Sequence, residues 1–288
     1  MSEKAVRTAR SQRRRRWALG VGAAVVVGLV IGGIAMLRPN PIVRTDHVDV
    51  PEATPADVAT VAQARVLFAH QSVGQNLIDA LPEVTRRLGG PEIPVSGLDD
   101  PSQGIAEIAI GTNGDPLGKL DEFASLLRGG LADTIDIAVL KFCFMDFEPP
   151  APDAESVFDA YRAMMTELEA EFPDVTFVYT TVPLVTERSV GDRLQNLLGR
   201  STHRLPQYNV AREEFNSRVR AEYGDTGRLF DIASYVGADS SGTVTYRQSE
   251  GHEYAALDPR LASDPGHLNP EGAAFIGSAF VAFLANVS

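Results

Sequence analysis

The sequence predicts an α/β fold: a three-layer α/β/α sandwich around a mainly parallel central sheet, preceded by one N-terminal transmembrane helix. Three observations predict it. Short apolar runs and helix-length amphipathic segments alternate from about residue 62 onward, the order that builds a parallel sheet covered on both faces. Two of the runs, "IDIAVLKF" at 135–142 and "VTFVYTTVP" at 175–183, are apolar throughout, as strands buried on both faces are. Residues 17–37, "WALGVGAAVVVGLVIGGIAML", form 21 consecutive uncharged positions, which as a helix reach roughly 31 Å, the thickness of a bilayer's hydrocarbon core.

In chain order, residues 1–16 form a basic tail and 17–37 the membrane anchor. Arg13–Arg16 precede the apolar run and few basic residues follow it, which places the N-terminus in the cytoplasm and the rest outside. Trp17 stands at the interfacial end. The run is long for a signal-peptide core and no clean A-x-A site follows, so it reads as an uncleaved anchor. Residues 38–61, rich in proline and without periodicity, read as a linker, and 62–288 as the folded domain.

Within that domain "ARVLFA" (64–69) reads as the first strand. The next segment has helical spacing through Val73, Leu77, Ile78 and Leu81, with Pro82 bending or ending it. Leu117, Leu120, Phe123, Leu126 and Leu127 share one face of a helix stopped by glycines. Residues 135–142 form a strand, 154–172 an amphipathic helix ended by Pro173, and 175–183 a strand. Then come a helix over 207–224 closed by Gly224, a short strand at 228–232, and a last helix over 269–287. Asn269 is that helix's N-cap and Pro270 its first helical residue.

The chain has 288 residues and a net charge of −12. The first 45 residues hold nine Lys and Arg against one acid; the rest hold 17 basic and 37 acidic residues, a net of −20. A body that acidic repels nucleic acid. Cys143 is the only cysteine, so no intrachain disulfide forms; its apolar neighbours mark it as a small buried hydrophobe. Metal-ligand spacings, calcium loops and phosphate-cradling glycine loops are absent from the sequence, so no cofactor and no metal are expected.

The chemistry-bearing stretch is "HQSVG", residues 70–74, a sharp corner between the first strand and its helix. In α/β sheets sites form where strands end and helices begin. Ser72 there is either turn punctuation or a nucleophile, and a nucleophile needs a base. Of five histidines, His47 lies in the linker, and His203 and His252 lie in polar loops. His267 lies in "SDPGHLNPEG", three residues after Asp264, a spacing that brings a carboxylate to an imidazole in a turn; the same residues also suit a plain Asp-Pro-Gly turn. His70, two residues before Ser72, alternates onto its side and could donate to an oxyanion, bind substrate or pack in the core.

A serine after the first strand and Asp-x-x-His before the last helix together resemble the SGNH/GDSL hydrolase superfamily, over about Arg65 to Phe283, with "DPGHLNPEGAAFIG" the most specific part. "DIAVLKFCFMD", "YTTVPLV" and "LFDI" match later strands. The resemblance implies Ser72 as nucleophile, His267 as general base and Asp264 as its orienting acid, acting through an acyl-enzyme. Two departures stand out. His70-Gln71-Ser72 replaces the family's Gly-Asp-Ser, and Cys143-Phe144-Met145-Asp146 replaces Gly-x-Asn-Asp, so Met145 stands where the family has an oxyanion-binding asparagine. Substitute donors are His70, Gly74 and the loop "IGTNGDP" (110–116), with Gly111, Gly114 and Asn113, which also reads as an Asn-Gly turn. Asp146 is expected to line the same strand end and orient a loop, pairing with Lys141. The function implied is a membrane-anchored, extracytoplasmic serine esterase acting on a small acyl ester or an envelope glycan or lipid. An O-acyltransferase with the same triad and a non-catalytic binding domain on a hydrolase fold are the alternatives.

Overall fold

The computed structural model describes residues 39–98, 103–187 and 208–288. The anchor predicted over 17–37 and His203 lie outside the described residues.

The described chain begins with β1 (Ile42–His47) and α1 (Pro55–Gln63). Both fall in the segment that the sequence marks as a linker, which is therefore structured. Its prolines misled because Pro55 occupies the first turn of a helix, where its missing N–H is no loss. Thr54 Oγ1 accepts from the Asp57 N–H at 3.3 Å while Asp57 accepts from the Thr54 N–H at 2.7 Å, a complete capping box. Val58 and Val61 are buried by this helix.

Next come β2 (Arg65–His70), α2 (Val73–Leu88), β3 (Val95–Ser96) and β4 (Gly104–Ala109). The helix α2 runs through Pro82 rather than ending there. Its continuation follows from packing, since Leu77, Leu81 and Val84 on both sides of the proline are buried together. Then follow α3 (Pro116–Arg128), β5 (Ile137–Leu140), α4 (Ala154–Glu171), β6 (Thr176–Thr180), α5 (Asn209–Tyr223), β7 (Leu229–Phe230) and α6 (Ile232–Gly237). The strands β8 (Thr243–Ser249) and β9 (His252–Tyr254) and the helix α7 (Pro270–Val287) complete the described chain.

Six strands form one parallel sheet in the order β3-β4-β2-β5-β6-β7. The side chains of its central strands alternate between two separate cores. Val66, Phe68, Ile137, Val139 and Val178 join α1, α2 and α7 on one face. Leu67, Ala69, Ala138, Leu140, Phe177 and Tyr179 join α3, α4 and α5 on the other. A strand buried on both faces has no room for polar alternation, hence the uninterrupted apolar runs. A second sheet, unforeseen in the sequence, sets β8 between β1 and β9, all antiparallel. Among the described residues α7 is the one helix long and apolar enough to cross a membrane, yet it is a core helix, with Ile276, Ala279, Phe280 and Leu284 buried.

Candidate active site

The site lies at the C-terminal end of β2, the central strand that also pairs with β4 and β5. Ser72 has φ 54° and ψ −105°, an uncommon setting for a residue with a side chain. Such strain is of order 1–3 kcal/mol and persists only where the surroundings enforce it. Ser72 occupies the N-cap position of α2 without capping it. Its hydroxyl instead lies 2.6 Å from His267 Nε2. The far nitrogen, Nδ1, is 2.7 Å from Asp264 Oδ2. A carboxylate only accepts, so Nδ1–H donates to Asp264 and Nε2 is left to accept from the serine.

The turn before α7 holds this geometry. Asp264 Oδ1 accepts the N–H groups of Gly266 at 2.8 Å and His267 at 3.1 Å, which leaves Oδ2 for the imidazole. The Leu268 N–H donates to Asn76 Oδ1 in α2 at 3.2 Å, pinning the turn to the helix that follows the serine. Phe144 packs edge-on against His267 with ring centres 5.7 Å apart. Gly266 is required there, because a Cβ would lie 2.5 Å from the Phe144 ring. The structure thus brings Ser72, His267 and Asp264 into one hydrogen-bonded series. Such a series can pass a proton from a hydroxyl to an imidazole while the carboxylate stabilises the imidazolium.

The other residues singled out in the sequence sit differently. His70 is buried; its Nε2 is 2.9 Å from Glu107 Oε2 and its ring packs on Phe68. Of the three roles the sequence allows it, core packing describes its position. Strand alternation fails to carry from His70 to Ser72 because the positive φ at Ser72 breaks the extended geometry. Burial, together with the positive charge of Lys141, pushes the His70 imidazole down to about 3, so it stays neutral. The unfolded chain takes up that proton below about pH 6.5 while the native one resists it. This contribution is therefore undiminished above pH 6.5 and erodes as pH falls toward 3. In urea titrations at pH 7 and pH 4.5, His70→Gln is expected to lose about 1–3 kcal/mol less stability between the two than wild type. Parallel losses would show that His70 titrates normally.

Gly74 is a spacer. A Cβ there would lie 2.4 Å from the His70 ring, and its N–H donates to the Gln71 carbonyl at 3.1 Å. Gly74→Ala is expected to destabilise the domain by about 1–3 kcal/mol through overpacking, seen as a lowered melting temperature. An unchanged melt would mean that the His70 ring has room to move.

In the loop after β4, the Gly111 N–H donates to Glu122 Oε2 at 3.0 Å and the Gly114 N–H to Asp146 Oδ1 at 2.8 Å. Asn113 is exposed, and its Oδ1 accepts from Lys119 Nζ at 3.0 Å. Asp146 is wholly buried and bonds Lys119 Nζ through both oxygens, at 2.9 and 2.7 Å. The expected Lys141–Asp146 pair is not what forms: Lys141 Nζ donates to the Phe142 carbonyl at 2.9 Å. Its place is taken by Lys119, which the sequence reading missed. The signal was a lysine at the 116/119/120/123 spacing, on the buried face of α3. Gln71 was also missed; its Nε2 donates to the carbonyls of Ile110 at 3.1 Å and Gly111 at 3.0 Å, tying the loop to the residue before Ser72. His47 and His252 are exposed, at the ends of β1 and β9. Among the described residues no group of three or more His, Cys, Asp or Glu is placed to hold a metal. A cleft of about 590 Å³ lies apart from Ser72, between the 47–53 segment, the end of α2 and α7.

No protein-family model matches the chain, and no curated protein matches it. Among solved structures it is similar to a protein described as an acylhydrolase from Bacteroides fragilis, at 15% identity over 81% of this chain and 88% of that one, TM-score 0.48. It is similar also to a GDSL-like lipase from Bacteroides thetaiotaomicron, at 15% identity over 78% and 92%, TM-score 0.47. A third is the periplasmic domain of a lipopolysaccharide acetyltransferase from Salmonella Paratyphi A, at 16% identity over 76% and 82%, TM-score 0.44. GDSL-like lipase and acylhydrolase proteins thus stand among its structural neighbours. These TM-scores are below 0.5, and the functional reading stands on the geometry of Ser72, His267 and Asp264 in this chain.

Proposed function

We propose that the chain is a serine esterase that cleaves an acyl ester through an acyl-enzyme. The observation that carries this reading is the series Ser72 Oγ, His267 Nε2 and Nδ1, and Asp264 Oδ2, with contacts of 2.6 and 2.7 Å. Ser72 Oγ attacks the ester carbonyl while His267 Nε2 takes its proton and Asp264 stabilises the imidazolium. Collapse of the tetrahedral adduct breaks the ester C–O bond, and His267 returns the proton to the departing alkoxide. Water then adds to the acyl-serine, His267 accepts its proton, and the carboxylic acid leaves as Ser72 is reprotonated.

Leu117 and Met145, on the elements that follow β4 and β5, expose apolar side chains of the kind that suits an acyl chain. A non-catalytic role leaves the strained backbone of Ser72 and its alignment on His267 without a purpose. Attachment to a membrane, with the domain on the extracytoplasmic side, is proposed on the uncharged run at 17–37 and the arginines before it. A substrate in the cell envelope follows from that placement.

Hydrolysis of p-nitrophenyl acetate and labelling by a fluorophosphonate test the reading; a folded protein that does neither refutes it. A sugar acceptor that diverts the acetyl group into a sugar ester at the expense of acetate would identify the second reading, an O-acyltransferase, since the acyl-serine is common to both.

A further inference from the structure

An acyl-transfer site needs donors aimed at the oxyanion, and here the expected ones are missing or engaged. Met145 has no N–H to offer from its side chain. The N–H groups of Gly111 and Gly114 bond Glu122 and Asp146, and that of Gly74 bonds Gln71. Resting on the serine esterase reading, we infer that the side-chain amide of Asn113 is an oxyanion donor, and that the buried Lys119–Asp146 ion pair is the positioning device that aims it.

Lys119 Nζ has three protons and three acceptors: Asn113 Oδ1 at 3.0 Å and Asp146 Oδ1 and Oδ2 at 2.9 and 2.7 Å. An ammonium only donates, so the amide oxygen of Asn113 must face it and the NH2 group must face away. Both members of the ion pair are 0% exposed, whereas Asn113 is exposed, so the NH2 points out of the protein's interior. Withdrawal of electron density through the amide oxygen makes those N–H groups better donors.

The same pair fixes the surroundings. Asp146 Oδ1 also takes the Gly114 N–H, and Oδ2 the Cys143 N–H at 2.7 Å, so the loop after β4 and the turn after β5 are clamped together. Gln71 brings that loop against the residue preceding Ser72, and the turn carries Phe144 against His267. The loop that carries the amide is therefore tied to the residue before Ser72, and Asp146 anchors the turn whose Phe144 packs on the base. Lys141 is buried close enough to interact with both Lys119 and Asp146. A buried ion pair is seldom the most stable way to fill a core, which fits retention of this one for orientation.

Steady-state kinetics with p-nitrophenyl acetate test the inference on the full chain. Asn113→Ala and Asn113→Asp are expected to lower kcat about 10²–10³-fold, with KM nearly unchanged. Asn113→Asp should melt near the wild-type temperature, because residue 113 is exposed and the contact to Lys119 is kept. Asn113→Ala leaves one proton of the buried ammonium without its acceptor and should melt a few degrees lower. The aspartate keeps the shape and the contact to Lys119 but has no N–H. Lys119→Met is expected to lower kcat in the wild-type background and not in the Asn113→Ala background, as a residue acting through Asn113 must. Retention of kcat within about threefold in both Asn113 variants would overturn the donor role. Multiplying effects of Lys119→Met and Asn113→Ala would overturn the positioning role. If Lys119→Met does not fold, Lys119→Met/Asp146→Leu, which strands no charge, takes its place in both backgrounds, and the two Asn113 variants decide the donor role. A wild type with no Ser72-dependent turnover refutes the esterase reading itself, and this inference with it.

Discussion

Ser72→Ala is expected to lower turnover of p-nitrophenyl acetate by about 10⁴-fold or more and to abolish fluorophosphonate labelling. The hydroxyl 2.6 Å from His267 Nε2 is the one that this site can activate, and alanine leaves the base with nothing to deprotonate. The substitution should leave the fold intact. Ser72 makes no capping hydrogen bond, and alanine inherits the same positive φ without aggravating it. The melting temperature is therefore expected to stay within a few degrees of wild type. Labelling and turnover that survive in a folded Ser72→Ala protein would mean that the nucleophile lies elsewhere.

Asp146→Ala is expected to have the largest effect on stability, a loss of about 3–5 kcal/mol in chemical denaturation. It strands the Lys119 ammonium, which is 0% exposed, without its carboxylate. It also unpairs the N–H groups of Gly114 and Cys143. Removing one partner of a buried pair costs far more than removing both. The double variant Lys119→Met/Asp146→Leu is accordingly expected to recover the part of the loss that the stranded ammonium causes, while the N–H groups of Gly114 and Cys143 stay unpaired. A single variant within about 1 kcal/mol of wild type would show that water reaches the pair and screens it.

The parallel sheet was legible because its central strands are apolar on both faces. Runs such as "IDIAVL" leave no alternative partner for the chain than two helical layers. The strand β4, "GIAEIA", was not legible, since alanine, glycine and a glutamate read as neither strand nor core. Glu107 is in that strand to meet His70, a pairing that depends on β2 and β4 lying side by side. The segment at 38–61 was misread because prolines were counted as breakers, although Thr54, Pro55 and Asp57 form a helix start. Ser72, His267 and Asp264 were readable as types at telling positions, before any contact was known. What surrounds them was not: Lys119 displaces Lys141 at Asp146 because α3, not the adjoining strand, delivers the ammonium. Sequence spacing fixes which residues share an element, whereas partners across elements follow from packing.

The serine and its histidine are 195 positions apart in the chain. At typical synthesis rates of about 5–20 residues per second, roughly ten to forty seconds separate their emergence from a ribosome. Throughout that interval the hydroxyl has no imidazole to answer it, so a half-made chain carries a dormant centre. On the proposed esterase reading, the serine can be activated only once the helix that follows His267 has docked, which makes that docking step the trigger.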